Sequence, residues 1–156
     1  MQVPITLSDV AAALTWYNAR IRHSDHRQLD LSLPYDLVPH SHVGMGVAVC
    51  GKWPQDDYPG HRGPGVYLIL DAQAHVLYIG KASARNTIGS RLAEYFGYDS
   101  QKRCQFKLSS WKWVPEYVAT ISIEPELHFE APAVEEFLIA RLRPPVNQQR
   151  GNTAQS

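Results

Sequence analysis

The chain has 156 residues, a formal net charge of +0 and 44% hydrophobic residues, a composition that suits one folded domain and gives no bulk positive charge for holding nucleic acid. No run of about twenty apolar residues occurs, so no transmembrane helix and no membrane association is expected, and Met1-Gln2-Val3-Pro4 lacks the basic-then-apolar pattern of a secretory leader. Two cysteines, Cys50 and Cys104, make a disulfide framework or a thiolate zinc site unexpected and fit a reducing, cytoplasmic setting.

Thr6-Leu7-Ser8-Asp9 has the form of a capping box, and apolar residues recur at Val10, Leu14, Tyr17 and Ile21. The spacing predicts a helix from about Leu7 to His23, with Arg20 and Arg22 exposed near its C-terminus, where they complement the helix dipole. From Ser24 to Pro64 the chain is punctuated by Pro34, Pro39, Pro54 and Pro59 and by Gly44, Gly46, Gly51 and Gly60. Val47-Ala48-Val49-Cys50 suits a short strand. His40 and His42 would share a face if extended, but no third ligand lies nearby, so they read as loop histidines. Residues 1–62 are expected to form an N-terminal extension packed on a domain spanning 63–150, with 151–156 as a flexible tail.

Two short apolar runs, Gly65 to Leu70 and Val76 to Ala82, are joined by Asp71-Ala72-Gln73-Ala74-His75 and read as a β-hairpin. Period-two alternation sets Gly65, Tyr67 and Ile69 on one face of the first strand and Tyr78 and Gly80 on one face of the second. A helix is predicted from Ile88 to Phe96, carrying Ile88, Arg91, Leu92 and Tyr95 at spacings of three and four, with Gly97 as its C′ residue. Two tyrosines, Lys81 and Arg91 therefore converge. The stretch Tyr98 to Lys112 is basic, with Phe106, Trp111 and Trp113 interleaved or following, a pattern that serves either nucleic-acid contact or the covering of a small core. A third strand follows from Tyr117 to Ile123. A last helix runs from Glu130 to Leu142, with Pro132 in its first turn and Arg143-Pro144-Pro145 ending it.

Charge is unevenly spread. Met1 to Gly60 holds four Lys/Arg against six acids, whereas Lys81 to Lys112 holds seven against two. A local basic field holds phosphate even on a neutral protein; a solvated surface is the alternative.

The tripeptides Gly65-Val66-Tyr67 and Tyr78-Ile79-Gly80, in that order at hairpin spacing and followed by Arg91, resemble the signature of the GIY-YIG nuclease superfamily. Lys81-Ala82 and Arg91-Leu92-Ala93-Glu94-Tyr95-Phe96 are most similar to its excision-repair incision branch. The resemblance covers roughly Gly63 to Asn147. It implies an α/β (α+β) fold with a small three-stranded, mainly antiparallel sheet flanked by helices, here with an N-terminal helical extension. It favours Glu135 over Glu136 as the family glutamate, because Leu138-Ile139, Pro144 and Asn147 then fall in register; helical periodicity alone does not choose between neighbours about 100° apart.

The implied activity is metal-dependent endonucleolytic cleavage of DNA, in repair, restriction or mobile-element movement. Glu135 would hold Mg²⁺ (or Mn²⁺), a hard cation that keeps most of its waters. Arg91 would stabilise phosphoryl charge. Tyr67 would activate the attacking water, Tyr78 would orient the water or phosphate, and Lys81 or the metal site would favour a Tyr67 phenolate. Asn147 would steady the site by hydrogen bonding. Arg85, Lys102, Arg103, Lys107 and Lys112 are the expected DNA-phosphate contacts. A catalytically silent nucleic-acid-binding module of the same fold and a protein-interaction domain are the rival readings; the oligomeric state is open.

Overall fold

The computed structural model describes residues 2–39 and 47–153, so His40 and His42 lie outside the described residues. Helix α1 spans Leu7–Arg20, and the dipeptides Tyr35–Asp36 and Gly51–Lys52 form β1 and β2. The hairpin consists of β3 (Gly65–Leu70) and β4 (Val76–Ala82), and helix α2 covers Ile88–Leu92. A second hairpin follows, β5 (Phe96–Tyr98) and β6 (Cys104–Phe106), then β7 (Tyr117–Ser122), a 3₁₀ turn at Pro125–Leu127, α3 (Glu130–Leu142) and α4 (Pro145–Thr153).

Every residue of β3 is buried, because this strand lies inside the sheet and is covered on both faces. It pairs antiparallel with β4, Tyr67 opposite Gly80 and Ile69 opposite Tyr78, and antiparallel with β7 on its other side. The connection between β3 and β4 closes on Asp71, whose carboxylate accepts from the N–H groups of Gln73 and His75 at 2.9 Å, while Ala74 takes the left-handed conformation at φ 59°. An aspartate that satisfies the turn's own donors is what such a loop needs.

The main sheet has five strands among the described residues, in the order β2-β1-β7-β3-β4, not the three expected. The expected trio is its antiparallel core. The extra pair comes from the N-terminal segment: β1 runs antiparallel to β7 and β2 parallel to β1. Strands of two residues are too short to show any periodicity, and Val47 to Cys50, the predicted strand, lies just before β2 instead of forming one.

One face of the sheet, with Val66, Leu68, Ile79 and Ile121, packs under α1 and α3 through Val10, Leu14, Val134 and Leu138. The other face, with Tyr67, Ile69, Tyr78 and Val118, packs under α2 and the β5–β6 hairpin through Ile88, Leu92, Tyr95 and Phe96. The capping box of α1 is present, Thr6 Oγ1 accepting from the Asp9 N–H at 3.2 Å and Asp9 Oδ2 from the Thr6 N–H at 2.8 Å. Arg22, expected exposed, is only 8% exposed. Its Nη2 pairs with Glu124 at 2.7 Å and its Nε with Glu130 at 3.0 Å, and Tyr17 donates to Glu130 as well. This cluster fastens the end of α1 to the start of α3. No helix among the described residues is long and apolar enough to cross a membrane.

The predicted helix from Ile88 to Phe96 is one element too long. Ala93 is the C-cap of α2, Tyr95 sits in the following turn, and Phe96 enters β5, opposite Phe106. Gly97 is therefore a strand residue and no helix C′ position; a Cβ on it would come within 2.7 Å of Lys107 Cε. Helix α4 runs to Thr153, into the stretch expected to be a tail.

Candidate active site

The site forms along β4, an edge strand of the main sheet, where the two layers of the molecule meet. Strand alternation sends Tyr78 and Gly80 to the α2 side and Lys81 to the α3 side. Gly80 is glycine for a physical reason: any Cβ there would run into the ring and hydroxyl of Tyr67 on the neighbouring strand. The space so freed lets the Tyr67 ring lie across β4. Gly65 has a comparable cause, since a Cβ there would meet the Ile121 carbonyl.

Tyr67 is completely buried at the centre of an aromatic group. Its ring centroid is 5.8 Å from that of Tyr95 and 6.3 Å from that of Tyr78. Trp111 packs against Tyr78 at 5.6 Å and Tyr95 at 6.1 Å, and Phe106 supports it edge-on at 4.8 Å. The Tyr67 hydroxyl donates to the Tyr95 hydroxyl at 3.3 Å.

Burial pushes the Tyr67 phenol far above its ordinary value; Tyr95 and Tyr78 add to the rise and Arg91 works against it. In the free protein Arg91 is the cation that favours phenolate, and desolvation outweighs it, so the phenol keeps its proton. Arg91 sits on α2 with Nη1 3.1 Å from Glu94. Burial disfavours its charge, but Tyr67 and Glu94 reverse that, so its pKa is raised. Its Nε is buried without a hydrogen-bond partner.

Glu135 projects from α3 toward the same edge and is half-buried, whereas Glu136 is exposed. Burial holds the Glu135 carboxyl above the ordinary range; Lys81 and Arg91 pull it back and Glu136 adds to the rise. Among the described residues Glu135 makes no ion pair or hydrogen bond. Asn147, on α4, clamps the outer edge of β4 with both ends of its amide. Its Oδ1 accepts from the Ile79 N–H and its Nδ2 donates to the Ile79 carbonyl, each at 2.9 Å. The amide satisfies backbone groups that an edge strand otherwise leaves open.

Tyr67, Tyr78, Lys81, Arg91, Glu135 and Asn147 are therefore brought to one edge. A model of the UvrC-like GIY-YIG domain matches residues 63–148, more than half of the chain. The chain belongs to the GIY-YIG nuclease superfamily. UvrABC system protein C of Chromohalobacter salexigens is 37% identical over 84 residues, which cover 54% of this chain and 12% of that protein. The chain thus corresponds to a small part of that relative's length. No solved structure matches.

The basic residues of this GIY-YIG domain are less concentrated than the sequence suggested. Arg85 is exposed in the loop before α2, and Lys112 is exposed beside Trp111. Lys102 and Arg103 sit at the tip of the β5–β6 hairpin, and Arg103 Nε is engaged by Asp99 at 2.9 Å. Lys107 donates to the Ala93 carbonyl at 2.8 Å, where it caps the end of α2. Tyr95 and Trp111 are the site-forming residues that sequence reasoning missed as such. Tyr95 carried a signal, four positions after Arg91; Trp111, on an irregular segment, carried none beyond its size.

Proposed function

We propose that this chain is a metal-dependent DNA endonuclease that hydrolyses phosphodiester bonds at the β4 edge. The observation that carries the proposal is the convergence of Tyr67, Tyr78 and Arg91 from one layer with Lys81 and the unpaired Glu135 from the other. No group of three or more potential His, Cys, Asp or Glu ligands occurs among the described residues. The donor set is a single half-buried carboxylate, and it fits a hard divalent cation that keeps most of its waters. Glu135 would hold Mg²⁺ or Mn²⁺. When bound, that ion supplies Lewis-acid stabilisation of the departing alkoxide.

The residues of the chain do the rest. Arg91 brings an unpartnered buried Nε–H to the nonbridging phosphoryl oxygens, where charge builds in the transition state. Tyr67 accepts the proton of the attacking water. Its resting phenol must first lose its own proton, and Arg91 is the group that favours the loss. Tyr78, held between Tyr67, Tyr95 and Trp111, orients the water. Asn147 fixes the backbone at Ile79, one residue after Tyr78, so that the edge keeps its register under load. Arg85 and Lys112 carry flanking phosphates.

Relaxation of supercoiled plasmid, with and without Mg²⁺, tests the proposal beside a gel shift in EDTA. Nicking that needs the cation supports it. Binding without nicking would favour a silent DNA-binding module, and the absence of both would point to a protein-interaction domain.

A further inference from the structure

At the opposite end of the main sheet, the N-terminal segment and the β5–β6 hairpin build a second feature. Trp53 directly follows β2, packs on the same apolar layer as Tyr67 and Tyr78, and donates its indole N–H to the Lys102 carbonyl at 3.3 Å. Tyr98 of β5 lies against it at 4.8 Å with the rings tilted by 46°, yet Tyr98 remains 61% exposed. A groove of ≈ 510 Å³ has Leu37, Trp53, Pro54, Lys102, Arg103 and Asp99 in its lining; Tyr98 stands outside that lining and adjoins it through its contact with Trp53. That volume lies inside the roughly 300–1,000 Å³ range of small-ligand clefts. Lys102 and Arg103 are exposed. Asp99 engages Nε of Arg103, and the terminal guanidinium nitrogens make no hydrogen bond within the described residues.

We propose that an unpaired nucleotide of the substrate strand binds here, its base stacked on the exposed face of Tyr98 and its flanking phosphates held in the adjoining groove by Lys102 and Arg103. The inference rests on the nuclease reading and adds a substrate class to it. The chemistry points to a nucleotide: an exposed aromatic face takes any base, and two cations beside it take the anionic links. The location agrees, because groove and catalytic edge lie on one layer. From β4 to β2 the sheet order gives four strand spacings, roughly 19 Å at about 4.8 Å each. That is the length of about five or six stacked nucleotides. A substrate with a single-stranded arm near the cleaved bond fills both places; a blunt duplex fills one.

Fluorescence anisotropy in EDTA tests this with two labelled probes, a blunt duplex and a forked duplex with an oligo-dT arm of about ten nucleotides. Tyr98→Ala should bind the fork about 10-fold more weakly, within the range expected for one stacked base, and the blunt duplex unchanged. Tyr98→Trp should restore the fork affinity, which loss of fold could not explain. Lys102→Ala with Arg103→Ala should flatten the salt dependence on the fork by about 1.4, for two single-strand phosphate contacts. Equal affinity of wild type and Tyr98→Ala for the fork overturns the subsite, as does an equal loss on both probes, which would make Tyr98 a duplex contact. If the variant is unaffected while wild type binds and nicks DNA, only the subsite falls. If wild type binds neither probe, the DNA reading itself falls and the subsite with it.

Discussion

Gly80 and Tyr67 show how much of the site is decided by single side chains. The missing Cβ at Gly80 admits the Tyr67 ring, the ring brings its hydroxyl to Tyr95, and complete burial then keeps the proton on Tyr67. The two tyrosines, the lysine and the arginine were legible in the sequence because strand alternation and helical spacing are short-range rules. The protonated resting state of Tyr67 was not, because burial depends on Tyr78, Tyr95 and Trp111 closing over the ring. The raised phenol has a kinetic consequence. If Tyr67 is the base, each unit by which pH rises toward its pKa increases the reactive fraction about tenfold, so log rate should climb with a slope of about 1 from neutral into alkaline conditions. Tyr67→Phe should lose roughly 10²–10⁴ in rate and the pH slope with it, while Tyr78→Phe loses much less. Nicking rates from about pH 6 to about pH 9, with melting temperatures as a fold control, decide this. A flat wild-type profile would make Tyr67 a positioning phenol and not a base.

Elements with strong local signals fell where the sequence put them: α1 with its capping box, the β3–β4 hairpin, and α3 between Glu130 and Leu142. Elements defined by distant partners did not. Strands β1 and β2 exist because β7 offers an edge, and β5 displaced the end of a predicted helix because Phe96 pairs with Phe106. Arg22 belongs to the same class. Its partners lie 102 and 108 residues away, so its burial had no local signal. Burial raises the Glu124 pKa, but hydrogen bonds and charge from Arg22 outweigh it and hold the carboxyl below its ordinary value. A depressed carboxylate contributes stability that is present above its unfolded pKa, about 4.5, and is lost as pH falls through the folded value. Arg22→Met leaves Glu124 with Arg27, 3.5 Å away, and Glu130 with the Tyr17 hydroxyl, and should cost about 3 kcal/mol, the low end for breaking a buried pair. It should also weaken the fall in stability between about pH 5 and about pH 3. Urea midpoints across that range check both; a variant as stable as wild type at neutral pH would mean that apolar packing alone holds α1 to α3.

For the whole molecule, a zero net charge conceals a basic stretch from Lys81 to Lys112, and the expected phosphate-binding side chains lie there. The structure divides them: Lys107 is partly spent on the Ala93 carbonyl, while Lys102, Lys112 and the outer nitrogens of Arg103 face solvent, where an anionic strand can reach them. Replacing Lys102, Arg103, Lys107 and Lys112 by alanine should flatten the salt dependence of binding to the forked duplex by about 0.7–0.9 for each phosphate no longer neutralised, and an unchanged slope returns them to a solvated surface. Glu135 is where fold and chemistry conflict. Its folded pKa is raised, so its ionised form is a burden on stability above the ordinary carboxylate pKa, relieved as pH falls through the folded value. Glu135→Gln should therefore melt no lower than wild type at neutral pH, and a carboxylate kept at such a cost suggests use. Mg²⁺-dependent nicking of supercoiled plasmid by Glu135→Gln beside Glu136→Gln, with DNA affinity followed in EDTA, separates the two carboxylates. If Glu135 holds the ion, Glu135→Gln cuts no DNA yet binds it as well or slightly more tightly, and the exposed Glu136→Gln cleaves normally. Normal cleavage by Glu135→Gln would contradict that role.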